Sequence, residues 1–135
     1  MNYPNDVKDP WLIKQNQKLD EKGFISLLDE GTYPRSMVRH FMIGNLQDLT
    51  SRGGHAHRLA WQILCNTSPQ ARVTAANIYG DFEFLLDHNS ILVIPPYNWI
   101  SIDFLSPNSR LMVLSSEEYD PSDYIYDLPL KRNIS

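Results

Sequence analysis

Hydrophobic and polar residues alternate along this chain in short runs, separated by residues that break regular structure. Trp99 to Leu105 shows the pattern most plainly, with Ile100, Ile102 and Phe104 on one side and Trp99, Ser101 and Asp103 on the other. Strand side chains repeat every two residues, so such a run predicts a strand with one buried and one wetter face. Val38 to Ile43 reads the same way, setting Arg39, Phe41 and Ile43 opposite His40 and Met42. Further short strands are predicted at Gly23–Leu28, Ala60–Cys65, Ala71–Tyr79, Phe82–Leu86, Ile91–Ile94 and Arg110–Leu114. Turns are expected at Asp29-Glu30-Gly31, Asn66 to Gln70, Asp87-His88-Asn89 and Pro107-Asn108, and a hairpin turn at Gly80-Asp81. Pro95-Pro96 should end a strand, because proline has no N–H to give to a ladder.

About eight short strands, with turn signals roughly every ten residues, argue for an all-β sandwich or barrel. No long segment of helical period and no internal repeat interrupts the pattern. A length of 135 residues suits a single domain spanning 1–135 with one substantial core. Residues 1–23 are polar and poor in aromatics apart from Tyr3 and Trp11. They read as a flexible lead, an extra edge strand or an arm laid onto a partner subunit. Sheet edges need covering, and an N-terminal arm exchanged within a homodimer would cover one, so a homodimer is expected.

Charge and composition narrow the function. A formal net charge of −4 argues against general nucleic-acid binding, which needs a basic footprint. A single cysteine, Cys65, excludes an intramolecular disulfide and a Cys-rich zinc site. The first twenty residues lack the apolar core of a signal peptide, and no apolar run approaches the roughly 20 residues that span a bilayer. The expectation is a soluble cytoplasmic protein.

The chemistry concentrates in Arg52-Gly53-Gly54-His55-Ala56-His57-Arg58. Gly53-Gly54 marks a tight turn or a close approach of two backbones. If the chain runs extended after it, His55 and His57 share one face, and Gln62 would return to that face after a bend. Two imidazoles and an amide converging on one surface suit either a metal site or acid/base chemistry. Arg52 equally fits a surface charge, Gln62 a cap on a buried polar group and Trp99 a core residue. The acidic, tyrosine-rich end from Ser115 to Ser135 reads as a solvated cover, and His40 and His88 as ordinary strand and loop residues.

Arg52-Gly53-Gly54-His55-Ala56-His57-Arg58, Gln62-Ile63-Leu64, Ile94-Pro95-Pro96 with Trp99, and the late run Leu111 to Asp120 with Ser122-Asp123-Tyr124-Ile125 resemble the cupin-type sugar-nucleotide 3,4-ketoisomerases. The resemblance covers about Phe24 to Tyr126. It implies a small cupin jelly roll, a double-stranded β-helix, acting on a dTDP-linked 4-keto-6-deoxyhexose on a pathway to a 3-amino sugar of bacterial surface polysaccharide. Moving the carbonyl from C4 to C3 needs a base for the C3 proton and a group that handles the oxygen-side charge or proton. The resemblance puts this pair at the active site, and the chemistry assigns His55 as the base and His57 as its partner or the oxygen-side acid. Arg52 and Arg39 would hold the substrate, Arg52 through the diphosphate. Gln62 would bond a sugar hydroxyl and Trp99 would stack on thymine.

No cofactor is implied, and the donor set weighs against a metal. Metal-binding cupins of similar spacing carry an acid where this chain has Gln62 and a histidine where it has Ile100, neither a match for the ligand it replaces. Two positions also depart from the ketoisomerase pattern. Phe41 stands where a family strand carries a functional tyrosine, and Trp99-Ile100 replaces a Trp-His pair. A sugar-nucleotide-binding cupin with altered or no turnover is therefore the alternative.

Overall fold

The computed structural model describes residues 4–27, 34–45 and 51–131. Strands follow in the order β1 (Trp11–Lys14), β2 (Asn16–Asp20), β3 (Gly23–Leu27), β4 (Arg39–Gly44), β5 (Ser51–His57) and β6 (Gln62–Ser68). After them come β7 (Ala71–Asn77), β8 (Gly80–Leu86), β9 (Ser90–Ile94), β10 (Trp99–Phe104), β11 (Arg110–Ser115) and β12 (Tyr124–Ile125). They form one five-stranded sheet in the order β1-β9-β6-β11-β4 and another in the order β12-β5-β10-β7-β8, with β2-β3 as a separate hairpin. Every recorded pairing is antiparallel. The all-β architecture expected from the alternation, and the jelly roll implied by the resemblance, is the fold observed.

The core lies between the two large sheets. Leu64, Leu92, Ile94, Leu111 and Val113 of the first pack against Val73, Ala75, Leu86, Ile100, Ile102 and Phe104 of the second. Burial alternates along β10 in the phase its sequence predicts, with Ile100, Ile102 and Phe104 inward. All five residues of β9 are buried. Leu92 and Ile94 face the sandwich interior, while Ile91 and Val93 join Trp61, Ile63 and Cys65 in a second cluster behind the sheet. That two-sided burial is why β9 reads as an unbroken apolar run.

Two stretches differ from expectation by more than one residue. The strand expected at Ala60–Cys65 begins at Gln62 and continues through Asn66-Thr67-Ser68, which were predicted to turn. Pairing to β11 extends to Ser68 opposite Arg110, and a ladder partner outweighs local turn preference. The hairpin turn lies at Ile78-Tyr79, and Gly80-Asp81 already belongs to β8. Asn77 fixes it: its side-chain oxygen accepts the N–H groups of Tyr79 at 2.8 Å and Gly80 at 3.2 Å. Within residues 1–23, Trp11–Lys14 is an edge strand against Ser90–Val93 of the same chain. The turn expected at Asp29-Glu30-Gly31 lies outside the described residues.

Candidate active site

A cavity of about 200 Å³ opens between the two sheets. From the first sheet come Arg39, Phe41 and Ile43 of β4, Gln62 and Leu64 of β6, and Val113 of β11. From the second come Arg52, Gly53 and His55 of β5, Ile100 and Ile102 of β10, and Tyr124 of β12. Four residues singled out in the sequence therefore meet in one space: Arg39, Arg52, His55 and Gln62. Two guanidinium groups, a ring nitrogen and an amide in a mostly apolar chamber suit an anionic, hydroxyl-bearing ligand.

The glycine pair works through its backbone. Gly53 and Gly54 have φ of +92° and +80°, and a Cβ on Gly53 would sit 2.7 Å from the Ile100 carbonyl oxygen. The β5-β10 register shifts at this point, between Ile100 and Ser101. The pair thus forms an irregularity inside a strand, where the two backbones approach too closely for a side chain.

His55 and His57 do come together, with ring centroids 5.0 Å apart and planes 83° to one another. Their surroundings differ. His55 lines the cavity, whereas His57 is buried, 7% exposed, and does not. The Nδ1 of His57 lies 2.9 Å from Asp123 Oδ2. Asp123 is itself buried and accepts the backbone N–H groups of Leu59 at 2.7 Å and Ala60 at 3.4 Å. A carboxylate accepting those bonds takes the Nδ1–H of His57, which leaves the Nε2 lone pair free. That Nε2 is buried and has no hydrogen-bond partner among the described residues.

Burial pushes both imidazoles below their ordinary value of 6.5. For His55 the charge of His57 adds to burial, and a hydrogen bond to the Gly53 backbone opposes it. For His57 the bond and charge of Asp123 oppose burial, while Arg39 reinforces it. Both rings are therefore neutral at pH 7, the form a base requires.

The remaining sequence-selected residue lies elsewhere. Trp99 does not line this cavity; it faces a separate pocket with Thr74, Phe82 and Glu83, and its Nε1 donates to the Tyr126 carbonyl at 3.0 Å. Phe41 and Ile100 are cavity wall. Among the described residues no three His, Cys, Asp or Glu side chains converge as metal ligands.

The C-terminal segment corrects the sequence reading. Instead of a solvated cover, it supplies Asp123 from a short 3-10 turn (Pro121–Asp123) and Tyr124 from β12, which pairs with β5 so that Tyr124 lies opposite His57. The Tyr124 ring centroid is 4.6 Å from that of His55 and 4.5 Å from that of His57. A signal was present in Asp120-Pro121: Asp120 caps the turn by accepting the Ser122 N–H, and proline suits a first helical position. Such a pair marks local order within an otherwise polar tail.

A jelly roll with a histidine-bearing inter-sheet cavity has known relatives. The chain belongs to the WxcM-like, C-terminal (FdtA) family, whose model matches residues 8–130. It is 29% identical over 116 residues to a TDP-4-oxo-6-deoxy-alpha-D-glucose-3,4-oxoisomerase from Aneurinibacillus thermoaerophilus, 84% of either chain being covered. Its fold superposes on a 3,4-ketoisomerase from Helicobacter canadensis with a TM-score of 0.81 at 25% identity, covering 88% of this chain and 91% of that one. A sugar 3,4-ketoisomerase from Thermoanaerobacterium thermosaccharolyticum, solved in complex with TDP, shares the fold at a TM-score of 0.80 and 24% identity, with 87% and 88% covered.

Proposed function

We propose that this protein is a sugar-nucleotide 3,4-ketoisomerase, moving the carbonyl of a TDP-linked 4-keto-6-deoxyhexose from C4 to C3. The observation that carries the reading is His55, a neutral imidazole in an inter-sheet cavity that two arginines and a buried amide also line. His55 takes the C3 proton, which the neighbouring ketone acidifies, and returns it to C4. Arg39 and Arg52 hold the anionic part of the substrate, and Gln62 bonds a sugar hydroxyl. His57, fixed by Asp123, orients the cavity side of β5 and adds a polar neighbour to His55. The family match over residues 8–130 and the oxoisomerase relative support this reading.

Two copies would form a homodimer by exchanging the arm 1–23, whose Trp11–Lys14 strand occupies the sheet edge such an exchange would trade. The enzyme would work in the cytoplasm, where nucleotide sugars are built, and supply an amino sugar of lipopolysaccharide O-antigen.

Phe41 and Ile100 in the cavity wall favour a second reading, a cupin that binds the sugar nucleotide without turnover. Proton exchange separates the two. Incubated in D₂O with dTDP-4-keto-6-deoxyglucose and followed by NMR, an isomerase gives deuterium at C3 and a new 3-keto species, both lost in His55→Asn. Saturable dTDP binding with neither exchange nor 3-keto product in either form would sink the enzyme reading for this substrate.

A further inference from the structure

The isomerisation needs a group on the oxygen side, and the geometry removes one candidate for it. With the Asp123 carboxylate accepting from Nδ1, a neutral His57 ring keeps only a lone pair at Nε2, which has no partner among the described residues. It is also outside the cavity lining. A buried neutral ring held in this tautomer is a poor proton donor. Phe41 lines the chamber without a hydroxyl. Gln62 offers an amide, which orients hydroxyls but has no titratable proton to pass to the substrate oxygen.

We infer that the Tyr124 hydroxyl is the oxygen-side proton carrier of this site. Tyr124 lines the same cavity as His55, and its ring lies against both imidazoles, at centroid distances of 4.6 Å and 4.5 Å. Its position is not left to a loose tail. The β12-β5 pairing places it opposite His57, and the buried Ile125 beside it anchors the strand. Arg58 of the histidine motif also donates to the Tyr124 carbonyl at 2.9 Å and to that of Ser122 at 2.6 Å. A phenol is a donor and an acceptor at once, which the oxygen-side role demands.

The C3–H bond breaks, its proton goes to His55, its electron pair becomes the C3–C4 double bond, and the carbonyl pair moves to the C4 oxygen. Tyr124 gives its phenolic proton to that oxygen. It recovers a proton from the C3 hydroxyl as the C3 carbonyl forms, and the double-bond pair takes the proton of His55 at C4. Both side chains end as they began, and no outside reductant or oxidant is used.

This inference rests on the ketoisomerase reading, and Tyr124→Phe tests it separately because the ring and the sheet pairing remain. Two rates are measured by NMR in D₂O with dTDP-4-keto-6-deoxyglucose: deuterium uptake at C3 and formation of the 3-keto product. In Tyr124→Phe the expected result is a fall in product formation of about 10²-fold or more with KM little changed, while C3 exchange falls less than about tenfold. Product formation equal to wild type would overturn the inference. A parallel fall of both rates would overturn it too, since Tyr124 would then serve only to position the histidines. Absence of both C3 exchange and 3-keto product in the wild-type protein would instead sink the ketoisomerase reading, and the inference with it.

Discussion

His55 and His57 are two residues apart on one strand, yet the fold puts them in opposite situations. The His55 side of β5 opens on a cavity lined by Arg39, Arg52 and Gln62. The His57 side is closed by Asp123, which ties one ring nitrogen and leaves the other buried. Burial lowers the proton affinity of both, but only one faces space where a substrate fits. Pattern alone makes the two residues equivalent; what packs on each makes one a candidate base and the other its fixed neighbour.

That contrast breaks most visibly at His55 itself. His55→Asn is expected to lower isomerisation by about 10³–10⁴-fold while dTDP binding, measured by calorimetry, persists. His57→Asn should leave C3 exchange slower yet measurable; an equal loss in both variants would abolish the distinction between the two imidazoles. Asp123→Asn comes next. An amide is unable to accept three N–H groups on its oxygen alone as well as a carboxylate does, and its NH₂ opposes the Nδ1–H of His57. A fall of about 10²-fold in kcat and a loss of about 1–3 kcal/mol in denaturant stability are expected.

Gly53→Ala sharpens the comparison from the backbone side. The added Cβ meets the Ile100 carbonyl at a positive φ, so stability should drop by about 1–3 kcal/mol, read from the urea midpoint. Gly54→Ala shares the positive φ, but its Cβ would be 3.8 Å from Trp99, an ordinary contact, so its loss should be smaller.

The mildest effect is that of pH. Both imidazoles sit below 6.5 when folded and return to their ordinary value when unfolded. Between those values the unfolded chain binds more protons, so this contribution to stability is complete above about pH 6.5 and is lost as pH falls below it. The acid limb of kcat/KM should likewise lie below 6.5. A limb above 6.5 would mean that a group other than His55 is the base.

Much of the fold was legible because one-sided burial writes itself as period-two alternation. β10 and β4 carry Ile100, Ile102, Phe104, Phe41 and Ile43 inward in the phase their sequences show. Boundaries were less legible at Asn66-Thr67-Ser68, where ladder pairing overrode turn composition, and at Asn77, whose side chain set the hairpin two residues early. In the site, Arg52, His55 and His57 announced themselves because chemistry-bearing residues crowd one short stretch. Asp123 did not: it is 66 residues from His57, and although Ser122-Asp123-Tyr124-Ile125 belongs to the family-like run, no spacing in the sequence sets that acid against the imidazole.

The alternating strands, the glycine pair and the two imidazoles on one strand are written locally, since each depends on residues a few positions apart. Only the tertiary structure decided that His55 is open and His57 closed, that Trp99 faces away from the cavity, and that Tyr124 reaches it. Those outcomes follow from which strand lies beside which. The β12-β5 and β10-β5 pairings join segments far apart in the chain, and no local pattern encodes their register.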